Sequence, residues 1–172
     1  MPGSARGAVF HRSINSLTVN AVDGIVSATE AAWRGIKGPV IAWKVYEMTV
    51  FICKWVAPAD VYVGFTANPS ENLAGYVDSG KKCVFKAQNN TLCKGYSAWQ
   101  ARRSSEKRVG EGQTITLRYQ QSAGTVEVLV DGESLGFQAT TIPADVRLHP
   151  VLWLYHPGTT VSVQASGSGY VG

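Results

Sequence analysis

Cysteine is scarce. There are three in 172 residues, Cys53, Cys83 and Cys93. An odd number with no C-x-x-C spacing argues against a disulfide framework and a redox motif, with a Cys83–Cys93 bridge as the alternative. The strand-like neighbours of these cysteines suggest small buried thiols in a reducing compartment, so a cytoplasmic location is expected. Long apolar runs are also missing. The longest, around residues 50–56, is interrupted by Lys54 and falls far short of the roughly 20 residues that span a bilayer. The opening MPGSARGAVFHRS lacks the apolar core of a signal peptide. No membrane partner is expected, and the sequon at Asn89 should remain bare.

The usual constellations of catalysis are absent too. Of the three histidines, His11, His149 and His156, none accompanies a nucleophile elbow, since GYSAW carries Trp99 where the sharp turn needs glycine. Cys83, Cys93 and His149 are too scattered for the close ligand set that zinc requires. The tail GSG lacks the lysine of a phosphate loop. The only close acidic pair, Asp131 and Glu133, flanks Gly132 and is better explained by a turn than by the paired carboxylates of a glycosidase. The expectation is no catalytic residue, no metal site, no cofactor and no enzyme activity.

What the chain has is glycine, proline and alternation. Eighteen glycines and seven prolines, with 45% hydrophobic residues, describe one domain of short strands and many turns around a single core. Ile115, Leu117 and Tyr119 alternate with Thr114, Thr116 and Arg118, as a half-buried strand requires. Val126, Val128 and Val130 resume the pattern, and Asp131-Gly132 supplies the two positive-φ residues of a type I′ hairpin turn. HPVLWLY and TTVSVQA read as two further strands. Upstream, GAVFHRS, SLTVN, GIVSA, VYVGFT and CVFKA are strand candidates, while PVIAWKVYEMTVFICKW is one long strand or a bent pair. Only residues 27–33, SATEAAW, look helical, with a Ser-x-x-Glu capping box. About twelve strands predict an all-β, two-sheet antiparallel sandwich, with a barrel of similar strand count as the competing architecture. The domain is expected over residues 8–165, with a disordered segment at 1–7 and a flexible tail at 166–172.

Charge is uneven. Residues 81–108 hold eight basic side chains against one acid, Glu106, although the whole chain carries only +4. Such a segment suits an acidic partner; its simplest alternative is a solvated loop face.

The order of motifs resembles the SPRY domain family. GQTITLRYQQSAGTVEVLVDGESLGFQATTIPADVRLHPVLWLY is similar to the C-terminal half of such a domain: strand, glycine turn, strand, DG turn, Leu135-Gly136-Phe137, then Leu148-His149-Pro150. WRGIKGPVIAWKVYEMT and VYVGFTANPSENLAGY resemble its earlier segments. Local similarity is greatest to SPRY proteins carrying a SOCS box, through Val63-Gly64-Phe65-Thr66-Ala67 and Gly75-Tyr76; His156-Pro157 stand where those relatives have Trp-Gly. The resemblance implies a concanavalin-like sandwich that binds peptides or proteins through loops at one end, commonly as an adaptor. It also implies a ligand contact for Tyr76.

If those loops form a pocket, the candidate partner-binding residues are Tyr76, Trp99, Arg102, Arg103, Tyr155 and His156, because aromatic and arginine side chains give large contact area with directed polar tips. Trp33, Trp43 and Trp153 are expected in the core. The reading is a non-catalytic interaction module with a protein or peptide ligand. A sugar-binding lectin is the alternative, and nucleic acid bound through the cationic segment ranks third.

Overall fold

The chain is described by a computed structural model at residues 6–14, 16–56, 61–68, 70–76, 81–87, 91–93, 109–139 and 142–170. Trp99, Arg102 and Arg103, with most of the cationic segment, lie outside them.

Two antiparallel sheets face one another, and no helix occurs among the described residues. The larger sheet runs in the order β11 (Glu133–Ala139), β10 (Thr125–Val130), β9 (Thr114–Gln120), β5 (Trp43–Lys54), β13 (Thr160–Tyr170), β3 (Ile25–Ala28), β2 (Leu17–Asn20), with β1 (Gly7–Ala8) added along β13. The smaller sheet runs β4 (Arg34–Lys37), β12 (His149–Leu154), β6 (Val61–Thr66), β7 (Lys82–Lys86), β8 (Thr91–Cys93). The long apolar segment is one strand of twelve residues, β5.

Alternation decides which face is buried. Met48, Val50 and Ile52 of β5, Ile115, Leu117 and Tyr119 of β9, and Val126, Val128 and Val130 of β10 meet Val63, Phe65, Phe85 and Leu152 of the smaller sheet in one core. Burial pushes the Tyr46 and Tyr119 phenols upward, because an ionised ring oxygen loses hydration there. The opposite face of the larger sheet is polar: Arg118 donates to Glu47 at 3.0 Å and to Glu127 at 3.3 Å. The expected hairpin is present, with Asp131 at φ 50 and Gly132 at φ 81 between the paired Val130 and Glu133. Asp131 accepts from the Thr114 amide and from Gln113 Nε2, which explains it as a turn residue.

Two expectations are corrected. Residues 27–33 form no helix: Ser27 and Ala28 end β3 and a bend follows. The groups of the supposed capping box are engaged elsewhere, the Ser27 hydroxyl 3.1 Å from that of Thr160 and Glu30 accepting from Arg34 Nε. Tertiary pairing overrides a local signal worth about 1 kcal/mol. Nor is the tail loose from residue 166. Ser166, Gly167, Ser168 and Tyr170 pair with Glu47, Tyr46, Val45 and Trp43. Gly167 lies against the Trp43 ring, where a Cβ would come within 2.1 Å of Cγ, so this glycine permits close packing. At the other end, Gly7 already pairs with Ala165, so the sheet begins one residue before the expected boundary.

Candidate functional site

The outward face of the smaller sheet carries the site. Register aligns Gly35, Trp153, Tyr62 and Lys86 in one row across four strands, and Lys37, Val151, Gly64 and Val84 in the next row on that face. The intervening row, Ile36, Leu152, Val63 and Phe85, points to the core. An outward sheet face is normally solvated, yet Trp153 is 0% exposed. Its cover is the connection after β6.

Residues 70–76 are fastened across that face at successive carbonyls. Leu73 O accepts from the Gly35 amide at 2.7 Å, Ala74 O from Arg34 Nη1, and Gly75 O from the Trp153 indole at 2.9 Å. Beneath them Lys82 Nζ lies 3.0 Å from Glu71 Oε2, with side chains 1% and 4% exposed. Glu71 also accepts from the Thr66 hydroxyl and the Asn72 amide. The Lys82 ammonium stands 5.1 Å from the Tyr76 ring centre and 5.5 Å from that of Trp153, within cation–π range. One of the eight cations of residues 81–108 is therefore an internal fastener and does not belong to a solvated face.

The second connection, residues 29–33, brings Trp33. Its ring stacks on Tyr62 at 4.2 Å and meets Tyr155 edge-on at 5.3 Å and Tyr76 at 6.0 Å. The third, residues 155–159, brings Tyr155 and His156, whose rings are 4.8 Å apart. It is held by the Ala32 amide on Tyr155 O and the Gly158 amide on Ala28 O. Lys86 sits 5.2 Å from the Tyr62 ring centre. Trp33, Tyr62, Tyr76, Tyr155 and His156 are all half-buried, so each keeps part of its surface accessible.

Three of the six expected site residues, Tyr76, Tyr155 and His156, thus meet in one cluster, joined through Trp33. Trp99, Arg102 and Arg103 are not described. The Tyr76 hydroxyl is shielded from solvent, so this residue offers its ring and not its oxygen. Sequence reading placed Trp33 and Trp153 in the core. Trp153 is fully buried, but under the loop on the outward face; Trp33 is at the centre of the cluster. Tyr62 and Lys86 were missed, although Tyr62 alternates with Val61 and Val63 and so must face away from them. Among the described residues no group of three His, Cys, Asp or Glu side chains is placed to hold a metal ion. The site offers stacking surfaces, the Lys86 ammonium beside the Tyr62 ring, and an imidazole.

No family model matches the sequence, and no curated protein matches it. Solved structures do. The SPRY domain of human HERC1 superposes with a TM-score of 0.68 at 14% identity, covering 86% of this chain and 91% of that one. The PSpry domain of TRIM65 gives 0.64 at 11% identity, over 87% and 85%. The carbohydrate recognition domain of Emp46p gives 0.61 at 10%, over 90% and 87%. At these identities the likeness is one of fold: the chain has the two-sheet sandwich of SPRY domains.

Proposed function

We propose that this domain is a non-catalytic interaction module, an adaptor that holds a protein or peptide partner against the Trp33–Tyr76–Tyr155–His156 end of the smaller sheet. The observation that carries the reading is the convergence of three connections that leaves five aromatic and imidazole rings half-exposed on one fastened surface. Rigid aromatic anchors of this kind dominate binding energy at interface centres. The fold, shared with SPRY domains, supports the same assignment. The compartment we assign is the cytoplasm, since a sparse, odd set of three cysteines suits reducing conditions.

The test is selection from a displayed peptide library, followed by titration of selected binders against Tyr155→Ala, His156→Ala and Trp33→Ala, with circular dichroism to verify folding. Binders should lose about tenfold or more on Tyr155→Ala or Trp33→Ala. Binders indifferent to all three substitutions would remove this surface from consideration.

Carbohydrate binding is the second reading, favoured by the likeness to Emp46p and by half-exposed aromatic rings, which sugars stack against. A glycan array, with and without calcium, separates the two: sugar binding lost on Trp33→Ala would establish it in place of the peptide reading.

A further inference from the structure

A second concavity lies beside the aromatic face, and the chemistry of its walls is different. One wall is the N-terminal segment, which enters the core with Val9 and Phe10, 4% and 2% exposed. That segment emerges at Ile14, which is 47% exposed. A reciprocal pair of hydrogen bonds between Ile14 and Leu17, at 3.1 and 2.9 Å, and the Ser13 hydroxyl accepting from the Val19 amide at 2.9 Å fix this wall. The other wall is the end of β4 and the residues after it, anchored by the Gly38 amide on Pro150 O at 2.8 Å. Between them is a cavity of about 520 Å³ whose apolar lining includes Phe10, Ile14, Ile36 and Leu73. That size is typical of pre-formed ligand sites.

The rim has one sign of charge. His11, Arg12 and Lys37 border the cavity, and among the described residues no aspartate or glutamate lines it. His11 and Arg12 are exposed, and neither forms an ion pair among the described residues. Of the hydrophobic lining residues Leu73 also packs against the aromatic cluster, so the two places share one loop.

We propose that this groove is a second binding site, for a short acidic peptide segment that inserts one apolar side chain between Ile14 and Leu73 and lays its carboxylates on Arg12 and Lys37. The apolar walls give a phosphate backbone nothing to bind, and an uncharged apolar ligand would leave the exposed Arg12 guanidinium unused. An aspartate- or glutamate-flanked leucine, isoleucine or phenylalanine satisfies both features. Charge complementarity of this kind raises association rates and discriminates against neutral and basic sequences. The site does not depend on the aromatic face being a binding surface.

The probe is a peptide array with Glu and Asp around a central position scanned through the apolar residues, beside matched arrays in which Gln and Asn replace the acids. Hits are titrated while the Ile14 and Ile36 methyl resonances are followed. Acidic peptides should shift both methyls and bind roughly tenfold tighter than their amide counterparts, and the Arg12→Glu/Lys37→Glu double variant should weaken them by tenfold or more. Ile14→Gln, at an exposed position, should weaken them severalfold with an unchanged unfolding midpoint. Equal binding of acidic and amide peptides, or no hit in either array, would overturn the proposal. So would methyl shifts caused by dodecanoate or a single-stranded RNA oligonucleotide but by no peptide. Peptides that perturb the Trp33 indole and leave Ile14 and Ile36 unmoved would also overturn it, while sustaining the aromatic surface.

Discussion

Replacing Lys82 with methionine tests what fastens the covering loop. Methionine keeps an unbranched apolar stem of similar length under residues 70–76, so the change isolates the ammonium. In the native fold that ammonium lies 3.0 Å from Glu71 and is 1% exposed, close to the Tyr76 and Trp153 rings. Without it the Glu71 carboxylate stays buried, with only the Thr66 hydroxyl and the Asn72 amide as donors. Breaking one side of such a buried pair costs about 3–5 kcal/mol. For a domain of this size the midpoint of thermal unfolding should then fall by about 6–20 °C. Glu71→Gln in the same chain removes the stranded charge: the amide oxygen can accept from the Asn72 amide while the new NH2 donates to the Thr66 hydroxyl, which can accept as well as donate. The double variant should therefore lie within about 1–2 kcal/mol of the parent, with a coupling energy of about 2 kcal/mol or more in the cycle. Urea unfolding of the four proteins measures this, and the ring contacts of Tyr76 and Trp153 should weaken in near-ultraviolet circular dichroism of the single variant. A cost under about 1 kcal/mol for Lys82→Met, or additive single effects, would refute the view that the pair holds the loop.

Four other outcomes follow from particular contacts. Gly64→Ala places a Cβ 1.6 Å from the Cys83 carbonyl oxygen, a backbone atom that cannot swing away, so denaturant unfolding should show a loss of about 3 kcal/mol or more. Asp131→Ala removes two accepted hydrogen bonds at a positive-φ position and should cost about 1–2 kcal/mol, whereas Asp131→Asn, better suited to that backbone, should cost less. Burial first and Asp23 second push the Cys53 thiol up, so less of it is thiolate at pH 8. Iodoacetamide should modify it more slowly than a free model thiol and faster in Asp23→Asn, while buried Cys83 waits for unfolding. Tyr46 and Tyr119 have phenols raised above the ordinary 10.0. The unfolded chain therefore releases those protons first, and stability should be full below about pH 10 and fall as pH rises beyond it in an alkaline unfolding series.

Composition and period by themselves determined the layers. Strict alternation in β9 and β10 assigns Ile115, Leu117, Val126 and Val128 to the core, because a side-chain period of two leaves no other arrangement of the buried face. The Asp131-Gly132 turn was equally legible, since positive φ at two successive residues selects few residue types. The capping-box signal at residues 27–33 and the glycine-rich end at 166–170 misled, because both are local preferences that pairing with β13 and β5 outweighs. The site was legible only in its loops. Tyr76, Tyr155 and His156 could be named from sequence, but their meeting point could not. Trp33 and Tyr62 come from separate strands and connections, and only the register of Gly35, Trp153, Tyr62 and Lys86 across four strands brings them together. Likewise, nothing local marks Lys82 as buried; its partner Glu71 is eleven residues away, across a connection whose path is set by carbonyls seeking donors on β4 and β12. Burial is a property of what lies above a residue, and the chain that lies above it is chosen by the whole fold.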